Sequence, residues 1–233
     1  MPFTPPPLSC ARIWLDTTAC SPFNFRRSRI STLILDAASA YAEQALEVLR
    51  SGGLVAFPTD TVYGVGALAF DTVAVERLYW AKERPVERAI PVLLGDASGV
   101  SVVALDVPDM ALRLAKRFWP GPLTLVMRKA PGVPKSVAAG ATVGIRVPDH
   151  AVALKLLQAA GPMAVTSANV SGRPPARTAD EVLQQLEAKV DLIVNGGMAP
   201  GGIASTVLDC TGDVPRVLRP GPVSLDEIES ALS

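Results

Sequence analysis

The stretch Leu54-Val-Ala-Phe-Pro-Thr-Asp-Thr-Val-Tyr-Gly64 changes abruptly from apolar to polar residues. Its first four residues form a short apolar run typical of a buried strand, and Pro58 ends that run because proline cannot donate to a strand ladder. Thr59, Asp60 and Thr61 then place two hydroxyls and a carboxylate just after the strand. Strand ends of this kind are where ligands bind in open α/β sheets. The stretch therefore predicts a buried strand that leads into a ligand-binding loop.

Helices and strands alternate on both sides of this stretch. Before it, apolar residues at helical spacing predict a helix over residues 38–51, followed by the stop signal Gly52-Gly53. Capping-box patterns at Thr178-Ala-Asp-Glu181 and Ser224-Leu-Asp-Glu227 predict two further helix starts. Other predicted helices and strands lie at 72–83, 90–94, 111–118, 123–127, 143–147, 153–160, 164–165, 192–194, 206–208 and 216–218. The sequence therefore predicts an α/β domain, with some antiparallel pairs because several connections are too short for crossovers.

The composition is that of a globular domain with balanced charge. Hydrophobic residues make up 49% of the 233 residues, and 22 basic residues face 22 acidic ones. A neutral chain has no general attraction to nucleic acid or anionic membranes, so a phosphate site must be a local basic cluster. No apolar run is long enough to cross a bilayer. Cys10, Cys20 and Cys210 show no C-x-x-C pairing, which favours a reducing, cytoplasmic compartment.

Residues 1–30 differ from the rest of the chain. Prolines cluster within Pro2–Pro7 and basic residues within Arg26–Arg29, with a single acid, Asp16. Such a composition is typical of a segment that buries little apolar surface, and an organelle transit peptide is the alternative. We expect residues 1–30 to be a disordered or non-core extension and residues 31–233 to form one folded domain.

Two cations, Lys82 and Arg84, lie where the second predicted helix ends. On a continuous helix, residues two apart point about 200° away from each other. Pro85 disfavours helical geometry at Arg84, so the chain can turn both cations toward one anion. The alternative is a solvated helix end, where the cations complement the helix dipole and pair with Glu83 or Glu87.

The segment Ser167-Ala-Asn169 follows the short apolar run Ala164-Val165. Alternate residues of an extended segment share a face, so the serine hydroxyl and the asparagine amide would be offered to one ligand. Ordinary turn chemistry is the alternative, because serine and asparagine are common turn residues.

Other patterns carry less chemistry. Gly64-Val-Gly-Ala-Leu-Ala69 formally matches the dinucleotide fingerprint, but in that fingerprint the glycines follow the strand directly. Here Pro58 and its loop intervene, so we set a nicotinamide or flavin enzyme aside. His150 is the only histidine, which argues against histidine-based catalysis. Trp80 and Trp119 fall on helical faces and are expected in the core.

Six short motifs follow one another along the chain: Pro58-Thr-Asp-Thr-Val-Tyr-Gly64, Lys82-x-Arg84, Trp119-Pro-Gly-Pro-Leu-Thr124, Gly144-Ile-Arg-Val-Pro-Asp149, Thr166-Ser-Ala-Asn-Val-Ser-Gly172 and Leu218-Arg-Pro-Gly221. In this order they resemble the YrdC family of threonylcarbamoyl-adenylate synthases. The resemblance implies a twisted mixed sheet with flanking helices and a concave nucleotide-binding cavity. It favours the anion-binding interpretation of the two cations over the solvated helix end.

The resemblance also implies an activity and a set of site residues. Members of the family convert L-threonine, bicarbonate or CO2, and ATP to threonylcarbamoyl-AMP and pyrophosphate, for threonylcarbamoyl modification of the tRNA adenosine next to the anticodon. The catalytic cations would be Lys82 and Arg84. Matching motif positions predict ATP contacts at Lys82, Arg84, Thr142, Ser167, Asn169 and Arg219. They predict L-threonine contacts at Thr59, Arg146 and Ser205. Mg2+ is expected through the triphosphate, with no protein ligand.

Partners follow from the same resemblance. We expect a separate tRNA-modifying threonylcarbamoyl transferase complex to take the product, because the extra C-terminal domain of longer relatives is not expected here. A direct contact with tRNA or double-stranded RNA is left open, and a purely RNA-binding module is the alternative function. Arg88, Leu93 and Pro175 depart from the common family pattern, so ligand contacts from Leu93 and Pro175 are not assumed.

Overall fold

A computed structural model describes residues 31–233, and the expectations for residues 1–30, including Cys10 and Cys20, fall outside the described residues. The strands are β1 (Leu33–Asp36), β2 (Val55–Phe57), β3 (Gly64–Leu68), β4 (Val92–Leu93), β5 (Leu123–Arg128), β6 (Thr142–Arg146), β7 (Met163–Ser167), β8 (Leu192–Asn195), β9 (Thr206–Asp209) and β10 (Arg216–Arg219). The helices are α1 (Tyr41–Arg50), α2 (Thr72–Lys82), α3 (Val100–Val103), α4 (Asp109–Phe118), α5 (Ala151–Ala160), α6 (Ala179–Leu186) and α7 (Leu225–Leu232).

All ten strands belong to one mixed sheet in the order β1-β8-β2-β3-β7-β4-β6-β5-β9-β10. Four neighbouring pairs are parallel: β1 with β8, β2 with β8, β4 with β6, and β5 with β9. The other pairs are antiparallel. The expected mixed α/β sheet is therefore confirmed. No helix within residues 31–233 has the length and apolar character needed to cross a membrane.

Strand β3 occupies the glycine pattern that formally matched a dinucleotide fingerprint. A Cβ on Gly66 would lie 2.7 Å from the Ala164 carbonyl oxygen, and one on Gly64 would lie 2.8 Å from Val165 Cγ1. The two glycines therefore let β3 lie tightly against β7, and α2 begins only at Thr72, after the strand has ended. The glycines therefore lie inside a strand, and not in the strand-to-helix turn of the dinucleotide fingerprint.

The two predicted capping boxes differ. Ser224 and Glu227 form the complete reciprocal box at the start of α7. At α6, Thr178 Oγ1 accepts from the Glu181 backbone N–H at 3.2 Å, but Glu181 Oε2 accepts from the backbone N–H of Arg177 at 2.6 Å. The second box is thus only half formed, although the predicted helix starts there.

The two tryptophans also differ. Trp119 packs against the main core, and its Nε1 donates to the Leu123 carbonyl oxygen at 2.7 Å. Trp80 is 61% exposed on α2, so the expectation that it lies in the core is wrong. The large side chains that α2 buries are those of Val75, Leu78, Tyr79 and Lys82.

The two faces of the sheet are covered differently. Buried residues of α2, α4, α6 and α7 belong to the main core on the first face. On the second face, α1 and α5 pack on β2, β4, β7 and β8 to form a smaller core. In the described part of the chain, that smaller core contains no residue of β5, β6, β9 or β10. We call the second face over β5, β6 and β9 the open half of the sheet.

Candidate functional site

Strand β6 places polar residues on the open half. Val143 and Ile145 belong to the main core, so the alternate residues Thr142, Gly144 and Arg146 face the other side. Thr142 and Arg146 are four residues apart, which corresponds to about 13 Å along a strand. The open half is therefore long enough to hold two ligand groups side by side.

Arg146 is the most buried cation of this surface, at 6% exposure. Its Nε donates to the Gly121 carbonyl oxygen at 2.9 Å, its Nη1 to Thr61 Oγ1 at 3.0 Å, and its Nη2 to Asp60 Oδ1 at 2.5 Å. Burial lowers the pKa of Arg146, and the charge of Asp60 opposes that shift. A guanidinium has five N–H groups, so two remain available for a carboxylate ligand.

Asp60, which lies in the first motif, forms an ion pair with Arg146. Its Oδ1 also accepts from the backbone N–H of Asp149 at 3.1 Å, whereas its Oδ2 is buried without a hydrogen-bond partner among the described residues. His150 Nδ1, at the start of α5, is buried and unpaired in the same part of the chain. Burial lowers the pKa of His150, and Asp60 and Asp149 oppose this. Unpaired buried polar atoms are uncommon and call for an explanation such as a ligand.

Thr59, a predicted threonine contact, uses its hydroxyl inside its own loop. Oγ1 donates to the Val62 carbonyl oxygen at 2.7 Å and accepts from the backbone N–H groups of Thr61 and Val62. It also lies 2.9 Å from Thr61 Oγ1. Thr59 therefore shapes the loop, and Thr61 is the residue that contacts Arg146. Thr59 and Thr61 both lie in the first motif, but nothing in the sequence indicated that Thr61 would be the one to contact Arg146.

Ser205, the third predicted threonine contact, is joined to a predicted ATP contact. Arg219 donates to the Ser205 carbonyl oxygen from Nε at 3.1 Å and from Nη2 at 2.7 Å, and Nη2 also lies 3.1 Å from Ser205 Oγ. A Cβ on Gly221 would lie 2.3 Å from the Thr206 nitrogen, so only glycine lets this segment rest on Ser205. The structure thus brings the two predicted ligand sites together at Ser205 and Arg219.

Lys82 is not at a solvated helix end. Its side chain is 1% exposed, and Nζ donates to the carbonyl oxygen of Ser167 and, at 2.5 Å, to that of Asn169. Burial and the nearby charge of Arg84 lower the pKa of Lys82 to about 7. Lys82 therefore holds the Ser167–Asn169 segment from inside the protein. The solvated helix end, as the alternative for this residue, is wrong.

Asn169 is fixed in the same segment. Its Nδ2 donates to the carbonyl oxygens of Val170 at 2.8 Å and Arg173 at 2.7 Å. Its Oδ1 is buried and has no hydrogen-bond partner in residues 31–233. The amide donors thus shape the turn, as the alternative interpretation held, while the acceptor oxygen is left for another group.

Arg84 lies beyond the end of α2, where Glu83 adopts a left-handed conformation with φ 53°. Its Nε donates to the Arg88 carbonyl oxygen and its Nη2 to that of Ala89, both at 3.0 Å. Burial lowers the pKa of Arg84, opposed by Tyr79, and the charges of Arg88 and Arg219 lower it further. Glu83 pairs instead with Lys189, at 2.7 Å.

Arg219 interacts electrostatically with two other arginines. Its charge lowers the pKa of both Arg84 and Arg146, which means that the Arg219 guanidinium repels each of the other two. Such a concentration of like charge in a neutral chain is a local field for an anion. Thr142 lies on β6 at the end of the strand opposite Arg146, and it is exposed.

Three other residues lie apart from these contacts. Leu93 is buried in the smaller core under α1 and α5, and Pro175 lines a surface depression beside Arg173 and Arg177. Cys210 has a buried, free thiol whose pKa burial raises to about 12.

Comparisons with known proteins agree with this geometry. The chain is 44% identical over 186 residues to the threonylcarbamoyl-AMP synthase of Pyrococcus abyssi, an alignment that covers 79% of this chain and 55% of the relative. It is 43% identical over 192 residues to the threonylcarbamoyl-AMP synthase of Bacillus subtilis, covering 81% of this chain and 56% of the relative. The chain thus spans little more than half the length of these curated relatives.

A solved structure extends the comparison to the fold. The crystal structure of P. abyssi Sua5 complexed with L-threonine superposes with a TM-score of 0.83 at 41% identity, covering 86% of this chain and 61% of that one. The family model Sua5_yciO_yrdC, described as telomere recombination, matches residues 47–221. The chain therefore belongs to the Sua5/YciO/YrdC family.

Proposed function

We propose that the chain makes threonylcarbamoyl-AMP and pyrophosphate from L-threonine, bicarbonate or CO2, and ATP. The observation that carries this proposal is the buried Arg146 guanidinium beside the Ser205–Arg219 pair on the open half of the sheet. The Arg146 guanidinium suits a carboxylate, and Arg219 lies in a cationic region that suits phosphate. Relatives that span most of the chain's length are named threonylcarbamoyl-AMP synthases, which supports this choice.

The threonine side of the proposed site is built on Arg146. Its two remaining N–H groups would take the L-threonine carboxylate, with Ser205 as a second hydroxyl contact. Thr59 would act by shaping the loop that holds Thr61 against the guanidinium. The P. abyssi structure described as complexed with L-threonine supports a site of this class.

The ATP side of the proposed site is built on the cations and on the ends of β6 and β7. Arg84 and Arg219 would face the phosphates, and Lys82 would hold Ser167 and Asn169 in place. The predicted ATP contacts remain Lys82, Arg84, Thr142, Ser167, Asn169 and Arg219. The charge of Arg219 acts on both Arg84 and Arg146, which supports the proposal because an anion bound there would relieve that repulsion.

The reaction needs no covalent enzyme nucleophile. The neutral amine of threonine forms a C–N bond to CO2 and loses a proton, which gives a carbamate. A carbamate oxygen then attacks the α-phosphorus, and the bond to the β-phosphate oxygen breaks, so pyrophosphate leaves. The protein holds the two groups in line and stabilises the charge on the transferred phosphoryl group. Lys82 and Arg84, the proposed catalytic cations, contribute to that stabilisation through position and charge.

Mg2+ is expected to accompany the triphosphate. Within residues 31–233, no group of three or more His, Cys, Asp or Glu side chains is arranged to hold a metal ion. We propose that Mg2+ binds the triphosphate oxygens, and we assign it no protein ligand.

The proposed setting is the cytoplasm, where ATP, L-threonine and tRNA are available. The product would pass to a separate tRNA-modifying threonylcarbamoyl transferase complex. Threonylcarbamoyl-AMP is an activated mixed anhydride, so the class of reaction that uses it is transfer of the threonylcarbamoyl group to an amine.

The test is a reaction with ATP, L-threonine and 13C-labelled bicarbonate, scored for pyrophosphate and, by mass spectrometry, for the labelled adenylate. We expect both products, and neither when L-threonine is omitted. The Arg146→Ala variant is the matched negative control. Pyrophosphate release that is independent of L-threonine, or an adenylate without the label, would overturn the proposal.

A further inference from the structure

Thr124 lies on β5 between the two proposed ligand sites. Its neighbours Leu123 and Leu125 belong to the main core, so Thr124 faces the open half. Leu125 pairs with Ile145 on β6, which places Thr124 beside Arg146 in the register. On its other side, Thr124 pairs with Val207 of β9. It is 3% exposed. A buried hydroxyl at this position requires a polar partner.

The partner is the hydroxyl of Ser205, at 2.9 Å from Thr124 Oγ1. Ser205 is 5% exposed, and its Oγ also accepts from Arg219 Nη2 at 3.1 Å. The methyl of Thr124 points the other way, toward Gly144, since a Cβ there would lie 3.1 Å from Thr124 Cγ2. Both branches of the threonine side chain are therefore in contact, which fixes its orientation.

The Thr124 and Ser205 hydroxyls have one hydrogen more than the hydrogen bond between them uses. Two hydroxyls carry two hydrogens, and the bond between them uses one. Arg219 is a donor only, so it fills a lone pair of Ser205 Oγ and takes no hydrogen. If Thr124 donates to Ser205, the hydrogen of Ser205 is free to donate to a ligand anion. If Ser205 donates to Thr124, that hydrogen is withdrawn from the ligand.

We propose that Thr124 is a positioning residue that donates to Ser205 and so directs the Ser205 hydrogen to the carboxylate of bound L-threonine. It thereby links the threonine side, at Arg146, to the ATP side, at Arg219. This inference rests on the proposed function and adds a residue to it. Thr124 acts through Ser205 and touches neither substrate.

The experiment measures L-threonine binding by calorimetry to the full-length protein, in the presence of a non-hydrolysable ATP analogue. Thr124→Val keeps the shape and removes the hydroxyl, and we expect about tenfold weaker binding, as for loss of a hydrogen bond to a charged ligand. Thr124→Ser keeps the hydroxyl and should bind within about threefold of the unaltered protein. Thr206→Val removes a buried hydroxyl that bonds only the Val223 backbone, and the folded variant should bind L-threonine normally.

A double-mutant cycle separates this role from a general loss of stability. If Thr124 acts through Ser205, then Thr124→Val should add less than about twofold to the effect of Ser205→Ala. Additive effects, normal binding by Thr124→Val, or equal weakening by Thr206→Val would overturn the inference and leave the proposed function standing. Failure of the unaltered protein to bind L-threonine would overturn both.

Discussion

One face of the sheet carries two regions built from the same kind of strand. Over β2, β4, β7 and β8, the outward side chains are apolar, such as Phe57 and Val165, and α1 and α5 bury them. Over β5 and β6, the alternate positions hold Thr124, Thr142 and Arg146 instead. The main core beneath is continuous under both regions.

The difference shows how this fold makes room for ligands. A helix packs on a strand face only where that face is apolar, because buried polar groups without partners cost free energy. The polar half is therefore left for small molecules that bring their own charges. Both halves should contribute to stability, but only the open half should determine binding.

The largest expected effect comes from Arg146→Ala. This change leaves Asp60 as a buried carboxylate without its cation, which costs about 3–5 kcal/mol in the free energy of unfolding. The carboxylate site for L-threonine is lost as well, so we expect binding to fall by more than about 100-fold, or 2.7 kcal/mol. Calorimetric titration and chemical denaturation measure the two effects.

The exposed ion pair of Arg128 and Asp106 is the control for stability. Its nitrogen and oxygen lie 2.9 Å apart, but both side chains are more than half exposed, at 62% and 63%. Arg128→Ala should therefore change the free energy of unfolding by less than about 1 kcal/mol. Equal losses in the two variants would contradict the view that the Arg146 site is a buried one.

A change in the covered half should reduce stability and leave binding unchanged. Leu156→Ala removes a fully buried side chain of α5 and should cost about 2–5 kcal/mol in the free energy of unfolding. Binding of L-threonine by the folded fraction should stay within about twofold of normal, since α5 does not line the open half. A tenfold loss of affinity in a variant that is still folded would show that the two regions are not separate.

Arg84→Ala tests the ATP side of the proposed site, where we expect a smaller effect than for Arg146→Ala. If this guanidinium faces the triphosphate, adenylate synthesis should fall by more than about tenfold, or 1.4 kcal/mol. Arg50 gives the matched control, because it is an exposed cation in the last turn of α1. Arg50→Ala should leave the rate unchanged. Near-normal turnover by Arg84→Ala at low and high ATP would remove the residue from the mechanism.

Lys82 should make stability depend on pH. Its folded pKa of about 7 lies below the usual lysine value of 10.5, so between these two pH values Lys82 binds more protons in the unfolded chain than in the folded one. The free energy of unfolding should therefore rise with pH from about 7 to about 10, by at most about 1.4 kcal/mol per pH unit. Denaturation of the unaltered protein and of Lys82→Met, compared across this range, measures the slope. An equal slope in both proteins would mean that Lys82 is not the group responsible.

Much of the fold could be predicted from periodicity. The apolar spacing of α1, α4 and α5 gave the helices that the structure contains, and apolar runs gave most strands. Strand β3 was not predicted because Gly64 and Gly66 remove the alternation of apolar and polar residues that marks a strand. Strand β1, which follows the N-terminal segment, was not predicted either. Glycine in β3 serves close packing against β7, which a single sequence does not reveal.

The site was predicted only in part, because its contacts join distant segments. The burial of Lys82 depends on carbonyl groups more than 80 residues away, so local sequence indicated a helix end instead. Asp60 and Thr124 lay inside recognised motifs but had no assigned role. Their partners, Arg146 and Ser205, are 86 and 81 residues away. The order of the motifs indicated where the site lies. Only the tertiary contacts show which residues pair with which within it.

The most direct test of the two-region account is amide hydrogen exchange of the full-length protein, with and without L-threonine and a non-hydrolysable ATP analogue. We expect the ligands to slow exchange in peptides covering residues 58–63, 142–146 and 203–206. Exchange in peptides covering α1 and α5 should be unchanged. Protection confined to α1 and α5, with none over residues 142–146, would contradict the claim that the open half of the sheet binds the substrates.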